Sequence, residues 1–249
     1  MEHKNPHSTD AAGYVDVTDD PLHKEIFADK YFRAYMATIA PGQATGYHRH
    51  SEDTVYIVIN GGRMGNKNFK GYKRSPMFFP RSFPFYKKLW FALQNVFTGS
   101  VHLPDGLFFF MPTKRYPAIH LAQASPRNRE AVCLMGIELR YSAADPTPFV
   151  HNNTFSWRME YDNGVLRALA CTLTPGASNR MEMPGYHLFM VCTKGLLEIT
   201  PEPAPNEKSK LHHLAVGDYL CIPDNFPAMA KNPGDVPSEM IILAIPGDA

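Results

Sequence analysis

Cysteine is scarce and scattered. The four residues Cys133, Cys171, Cys192 and Cys221 sit in or beside apolar runs with no Cys-x-x-Cys spacing, which argues against a disulfide framework and a thiolate zinc site and leaves them as small core residues. No apolar stretch approaches about 18 residues, the length a membrane helix needs. The opening "MEHKNPHSTDAAG" holds no apolar segment of the signal-peptide kind, so no membrane span or secretory leader is expected and a cytoplasmic address follows. Charge of one sign is missing overall: 25 Lys and Arg against 24 Asp and Glu leave a formal net charge of +1. That balance argues against a protein built to grip nucleic-acid backbones. What remains, 249 residues at 44% hydrophobic and 20% charged, is the composition of a globular chain able to fill one large or two small cores.

Short runs rich in Val, Ile, Tyr, Phe and Leu recur between Gly, Pro, Asn and Asp punctuation, among them "YFRAYMATIA", "TVYIVI", "LFFFM", "AVCLMGIEL", "YHLFMVC" and "EMIILAI". This is the pattern of strands, and with 22 prolines and 17 glycines it predicts an all-β sandwich or barrel. One segment departs from it. In "FPFYKKLWFALQNVF", residues 83–97, Leu89, Trp90, Leu93, Val96 and Phe97 fall at helical spacing, so a helix is expected there.

The chain repeats itself. "ATIAPG" at 37–42 aligns with "CTLTPG" at 171–176, and the same offset carries Gly61 onto Gly195. "DGLFFFMPTKRYPAI" at 105–119 matches "VGDYLCIPDNFPAM" at 216–229, setting Gly106 on Gly217 and Pro112 on Pro223. Two copies of one β module follow, residues 1–145 and 146–249, joined by a linker at about 141–153. The shorter second offset places extra residues in the first copy, at about 63–104. Within the first copy, "GQATGYHRHSEDTVYIVINGG" at 42–62 sets His48 and His50 one residue apart before a strand. Chance, a packed core pair and two ligands of one ion are the alternatives. On a strand, residues i and i+2 share a face, so the two imidazoles can point together into a barrel.

Gly42, five residues, His48, one residue, His50 and a strand closing on Gly61 resemble the first conserved block of the cupins. Gly106, five residues and Pro112 resemble the start of their second block. The likeness covers most of the chain and implies a bicupin: all-β, two tandem jelly-roll barrels, with a partly helical insert in the first. It further implies one divalent metal ion held by the two histidines, a glutamate a few residues on and a histidine from the second block. Here the glutamate position is Thr54, and the second-block histidine position is Pro117, with His120 three residues on. A three-residue slip in a regular strand would turn the side chain outward, unless a bulge or turn in "TKRYP" restores the face. The expected ligands are therefore His48, His50 and His120, with Glu52 in reserve because it continues the parity of His50, and His102 in reserve for His120. Imidazoles alone do not fix the metal. In the second copy the offset sets Glu182, Pro184 and Leu188 where His48, His50 and Thr54 stand, and Ala228 or Ala230 in the second block, so no metal is expected there. His187 reads as buried and hydrogen-bonded, and His7, His23, His151, His212 and His213 as surface or loop residues.

From Thr54 to Pro104 there is no Asp or Glu, while Arg63, Lys67, Lys70, Lys73, Arg74, Arg81, Lys87 and Lys88 accumulate among aromatics such as Phe69, Tyr72, Phe78, Phe79, Phe83, Phe91 and Trp90. Packing on the barrel or on a second subunit, a lid over the substrate, and contact with a membrane surface or single-stranded nucleic acid all suit that mixture. A homodimer is expected, because two barrels and an apolar insert leave much surface to cover. The resemblance implies metal-dependent chemistry on a small, anionic organic molecule. A three-histidine site favours a non-haem Fe(II) dioxygenase, with Tyr47, Tyr56, Arg115 or Tyr116 supplying a hydrogen bond or charge clamp to the substrate. A redox-neutral lyase, isomerase, cyclase or hydrolase using Zn, Mn or Ni, and a non-enzymatic small-molecule-binding barrel, are the alternatives.

Overall fold

The computed structural model describes residues 13–72, 75–140, 157–202, 209–222 and 227–247, with 95–97 described by their backbone alone. The linker expected at 141–153, His7, His151 and Pro223 lie outside the described residues. The chain divides into two compact units, residues 1–140 and 141–249.

In the first unit the elements are β1 (Val15–Asp16), β2 (His23–Ala28), β3 (Phe32–Ile39), β4 (His48–His50), β5 (Thr54–Asn60), β6 (Gly62–Asn68), α1 (Phe85–Thr98), β7 (Ser100–Leu103), β8 (Phe108–Met111), β9 (Ala118–Ala124) and β10 (Val132–Leu139). Two five-stranded sheets result, ordered β1-β4-β9-β6-β7 and β2-β3-β10-β5-β8. Their inner faces share one core, with Tyr35, Ile39, Tyr56 and Val58 from one sheet meeting Met64, Leu103, Ala122 and Ala124 from the other. β10 lies between β3 and β5 and is buried along nearly its whole length, which is why "VCLMGIEL" reads as an almost continuous apolar run.

The second unit contributes β11 (Trp157–Asp162), β12 (Arg167–Leu173), β13 (Ser178–Met181), β14 (Tyr186–Lys194), β15 (Leu196–Pro201), β16 (His212–Ala215), β17 (Tyr219–Ile222), β18 (Ala228–Lys231) and β19 (Ser238–Pro246). Its sheets run β11-β12-β19-β14-β17 and β13-β18-β15-β16. Strand for strand this is the order of the first unit without a counterpart of β1, so the sequence repeat is a repeat of topology. Its interior is apolar: Met181, Leu188, Met190, Leu197, Ile199, Leu214, Ala228 and Ala230 are all buried. Glu182 is exposed and ion-paired with Arg180, and Pro184 is exposed. Among its described residues no three side chains of metal-binding type converge within this unit. His187 is buried and exchanges a hydrogen bond with Cys221 Sγ at 3.2 Å.

The insert is narrower than residues 63–104. β6 and β7 are strands of the barrel sheet and pair with each other from Gly62↔Leu103 to Gly65↔Ser100, so the added chain is their connection, 69–99. The helix forms as its spacing predicts, at Phe85–Thr98. Pro84 precedes it, with the Lys87 and Lys88 amides donating to the Pro84 carbonyl, and Gly99 at φ +62° ends it in the left-handed conformation that suits glycine. The apolar positions named from spacing do not all face inward. Leu89, Trp90 and Leu93 are exposed, while Phe91 is buried in the core. Ahead of the helix, Phe78 exchanges two backbone hydrogen bonds with Phe110 on edge strand β8, at 2.8 and 2.9 Å. The insert thus leaves one sheet and pins itself to the edge of the other, which covers an otherwise open strand.

Candidate metal centre

Alternation on β4 buries His48 and His50 and exposes Arg49 between them. β9 runs antiparallel beside it, with His48 opposite His120 and His50 opposite Ala118, so a third imidazole enters the same face from the neighbouring strand. The register follows from a turn over Thr113–Tyr116, in which the Tyr116 amide donates to the Pro112 carbonyl and the Lys114 amide donates to Asp53 Oδ1, both at 2.9 Å. That turn takes up the extra residues between Pro112 and His120, so β9 starts at Ala118 with 118 and 120 facing inward.

The three rings lie 4.8 to 5.0 Å apart centroid to centroid. Nε2 of His50 is 3.1 Å from Nε2 of His120. Two imidazoles bound at about 2.1 Å to one ion would hold their nitrogens about 3.0 Å apart at an octahedral edge and about 3.4 Å at a tetrahedral one, so the observed separation suits a shared ion. His48 is oriented to match. Its Nδ1–H donates to the Gly46 carbonyl at 3.0 Å, with Asp20 Oδ2 at 3.5 Å, an outer arrangement that leaves Nε2 as the nitrogen available to a metal ion. The donor set fits a divalent transition ion.

Asp20 organises this outer layer. Its carboxylate accepts from the amides of Leu22 and Gly46 and lies 3.2 Å from His23 Nδ1. Burial opposes its charge, and the hydrogen bonds from His23, His48 and Leu22 overcome that and hold the carboxyl well below the usual range. His23 is buried, its ring 4.5 Å from that of His48. The expectation of a surface or loop position for His23 is therefore corrected: β2 turns it inward beside the cluster. Burial, joined by the neighbouring imidazoles, depresses the basicity of His50, and burial does the same to His23.

His50 is braced from the opposite sheet. Tyr56 Oη lies 3.0 Å from His50 Nδ1 and 2.9 Å from Tyr35 Oη. Tyr35 on β3 and Tyr56 on β5 both pair with Gly136 on the strand between them. A Cβ at Gly136 would overlap the Tyr35 ring, so glycine is what lets the two phenols meet across β10. Burial raises the pKa of both hydroxyls, which keeps them protonated donors.

The cluster opens into a cavity of about 90 Å³ whose wall includes Ile39, Met64, Leu103, Phe109, Met111 and Leu134, with Ser75, Met77 and Phe91 contributed by the insert. Of the residues expected at the site, His48, His50, His120 and Tyr56 line this cavity. Tyr47 packs its ring edge-on to Phe69, and Arg115 lies over the exposed Tyr116 ring, all three away from the cavity. Glu52 lies past the end of β4, so strand parity no longer applies, and it is ion-paired with Lys114 at 2.9 Å. His102 is on the outer face of β7, whose inner residues are Val101 and Leu103. Thr54 is buried and donates to the Glu52 carbonyl. Asp20, Tyr35 and Ser75 were not singled out by sequence, and His23 was placed at the surface. The spacing of Asp20 and His23 in "DDPLH" is the one local signal available for them.

The sequence matches no protein-family model and no curated protein. Solved structures resemble the fold over most of its length. They include a cupin 2 conserved barrel domain protein from Leptotrichia buccalis, with TM-score 0.51, 11% identity, and coverage of 90% of this chain and 88% of that one. AerE from Microcystis aeruginosa has TM-score 0.51 and 12% identity over 92% and 99% of the two chains. Oxalate decarboxylase has TM-score 0.57 and 11% identity over 92% and 75%. With the repeated strand order and the histidine cluster of the first unit, these likenesses establish the architecture: the chain has a two-barrel cupin fold with a candidate metal site in its first barrel.

Proposed function

We propose that the first barrel is a metal-dependent enzyme acting on a small organic anion, and specifically a non-haem Fe(II) dioxygenase of the cytoplasm that works as a homodimer. The observation that carries the reading is the convergence of three imidazoles at the wall of a largely apolar cavity, with no carboxylate among them. When bound, an Fe(II) ion supplies a redox-active Lewis acid with positions left over beside three neutral ligands. The chain's own residues do the rest. Asp20 and Gly46 hold His48, Tyr56 holds His50, and β9 delivers His120, so the ligands are set before the metal arrives. Met77 and Phe91 close the cavity and exclude water around the reacting molecule. The four free cysteines suit a reducing compartment. The exposed Phe85, Tyr86, Leu89 and Trp90 of α1 offer the apolar surface for a second copy.

The test is anaerobic Fe(II) loading followed by oxygen-consumption assays on a panel of diketones, thiols and hydroxybenzoates, beside His48→Ala and His120→Ala. About one equivalent of iron, lost in both variants, with oxygen uptake on a panel member is the expected result. Turnover that persists without oxygen on Zn, Mn or Ni would assign a redox-neutral reaction instead. No metal after reloading would end the enzyme reading.

A further inference from the structure

The wall of the cavity carries an asymmetry in its chemistry. Among the described residues it holds no Lys, Arg, Asp or Glu, so its polar groups are the histidines, Tyr56, Ser75 and, at the exposed mouth, Asn66 and Asn68. Asn68 pairs with His120 across the sheet, which puts the mouth beside the ligand cluster. The remaining wall is Ile, Leu, Val, Met, Phe and Ala. Within it Ser75 is 5% exposed and its Oγ has no hydrogen-bond partner among the described residues. A buried hydroxyl left unpaired is destabilising and is rare in folded proteins. This one comes from the insert, faces the cavity and is one polar atom in an apolar setting.

We infer that the ligand of this cavity is a monoanionic chelator with an apolar tail that carries one further polar atom, held by Ser75. The inference rests on the metal reading above for the chelating end alone. One negative charge can be met at the three-histidine centre. A second charge, such as the other carboxylate of a small diacid, would be buried against methionine, leucine and phenylalanine, with no Lys or Arg among the described wall residues to answer it. An apolar tail gains by leaving water, by about 4-fold in affinity per buried methylene. Ser75 then selects among such ligands, because a wall hydroxyl that expects a partner discriminates against molecules that lack one.

Calorimetric titration of the metal-loaded protein with acetohydroxamate, its homologues of three to six carbons, their ω-hydroxy analogues and oxalate tests this directly. Expected are gains of about 4-fold per carbon, oxalate no tighter than acetohydroxamate, and one chain length at which the ω-hydroxyl is tolerated. In Ser75→Ala that one analogue should weaken by about 10-fold while the plain homologues do not. Affinity independent of chain length, or oxalate as the tightest ligand, overturns the proposal. An unchanged preference in Ser75→Ala overturns the role of Ser75. The same series as n-alkyl amides, measured by ligand-detected NMR on metal-stripped protein, separates the two readings. A chain-length slope there supports the apolar class even if no metal binds, and a flat response counts against it whatever the metal does.

Discussion

Replacing Gly136 by alanine sets a methyl group into the space of the Tyr35 ring. That ring is 2% exposed and its hydroxyl is tied to Tyr56, so it has nowhere to swing without breaking the contact. Overpacking of a closed core costs about 1–3 kcal/mol, and the displaced Tyr35 takes with it the brace on His50. Hydrogen exchange of the β3, β5 and β10 amides reports this unit alone and should show that loss of protection. Metal affinity should fall in parallel. The decisive comparison is a double-mutant cycle with Tyr35→Leu, whose shorter side chain vacates the space over residue 136. In that background Gly136→Ala should cost at least about 1 kcal/mol less than in the wild type, a coupling typical of residues in contact. Additive costs would show that the glycine is not there to admit the tyrosine, and the account of the Tyr35–Tyr56–His50 chain would fall with it.

Asp20→Asn keeps the shape of the side chain and removes its charge, so metal affinity should drop by about 10–100-fold in competition with a chromogenic chelator, and an unchanged value would mean that the Gly46 carbonyl alone orients His48. Burial raises the thiols of Cys171 and Cys192 to about 11, so both should resist iodoacetamide at pH 8 in the folded protein and react once it is unfolded. Because their folded-state pKa values are raised, their contribution to stability is fully present below the usual thiol range and is lost as pH rises toward 11. A rapid native-state reaction mapped to either residue would contradict the burial. Trp90→Glu places a charge in the exposed face of α1 and should turn a dimer into a monomer by static light scattering, whereas a wild-type monomer at micromolar concentration would remove the dimer.

Much of the fold was legible because its signals are local. Strand periodicity, the repeated "ATIAPG" and "CTLTPG", and the helical spacing of the insert depend on neighbours in the chain, and each has its counterpart in the strand order and in α1. The pairing of His48 with His50 was legible for the same reason, since a two-residue period needs only a strand. The extent of the insert was not, because β6 and β7 are polar or glycine-rich along much of their length and become strands through their partners. Glu52 illustrates the limit of parity: one bend after β4 removes it from the face that counting assigns.

By itself, then, the sequence determined the all-β class, the duplication and two of the three imidazoles, since these follow from side-chain periodicity. Tertiary structure decided the rest. The register that sets His120 opposite His48, the contact that brings Asp20 to His48 and Gly46, the glycine that lets Tyr35 reach Tyr56 and the closure of the cavity by Ser75, Met77 and Phe91 all join residues far apart in the chain. Such contacts are set by strand pairing and by which faces must be buried, and no local pattern of residues encodes them.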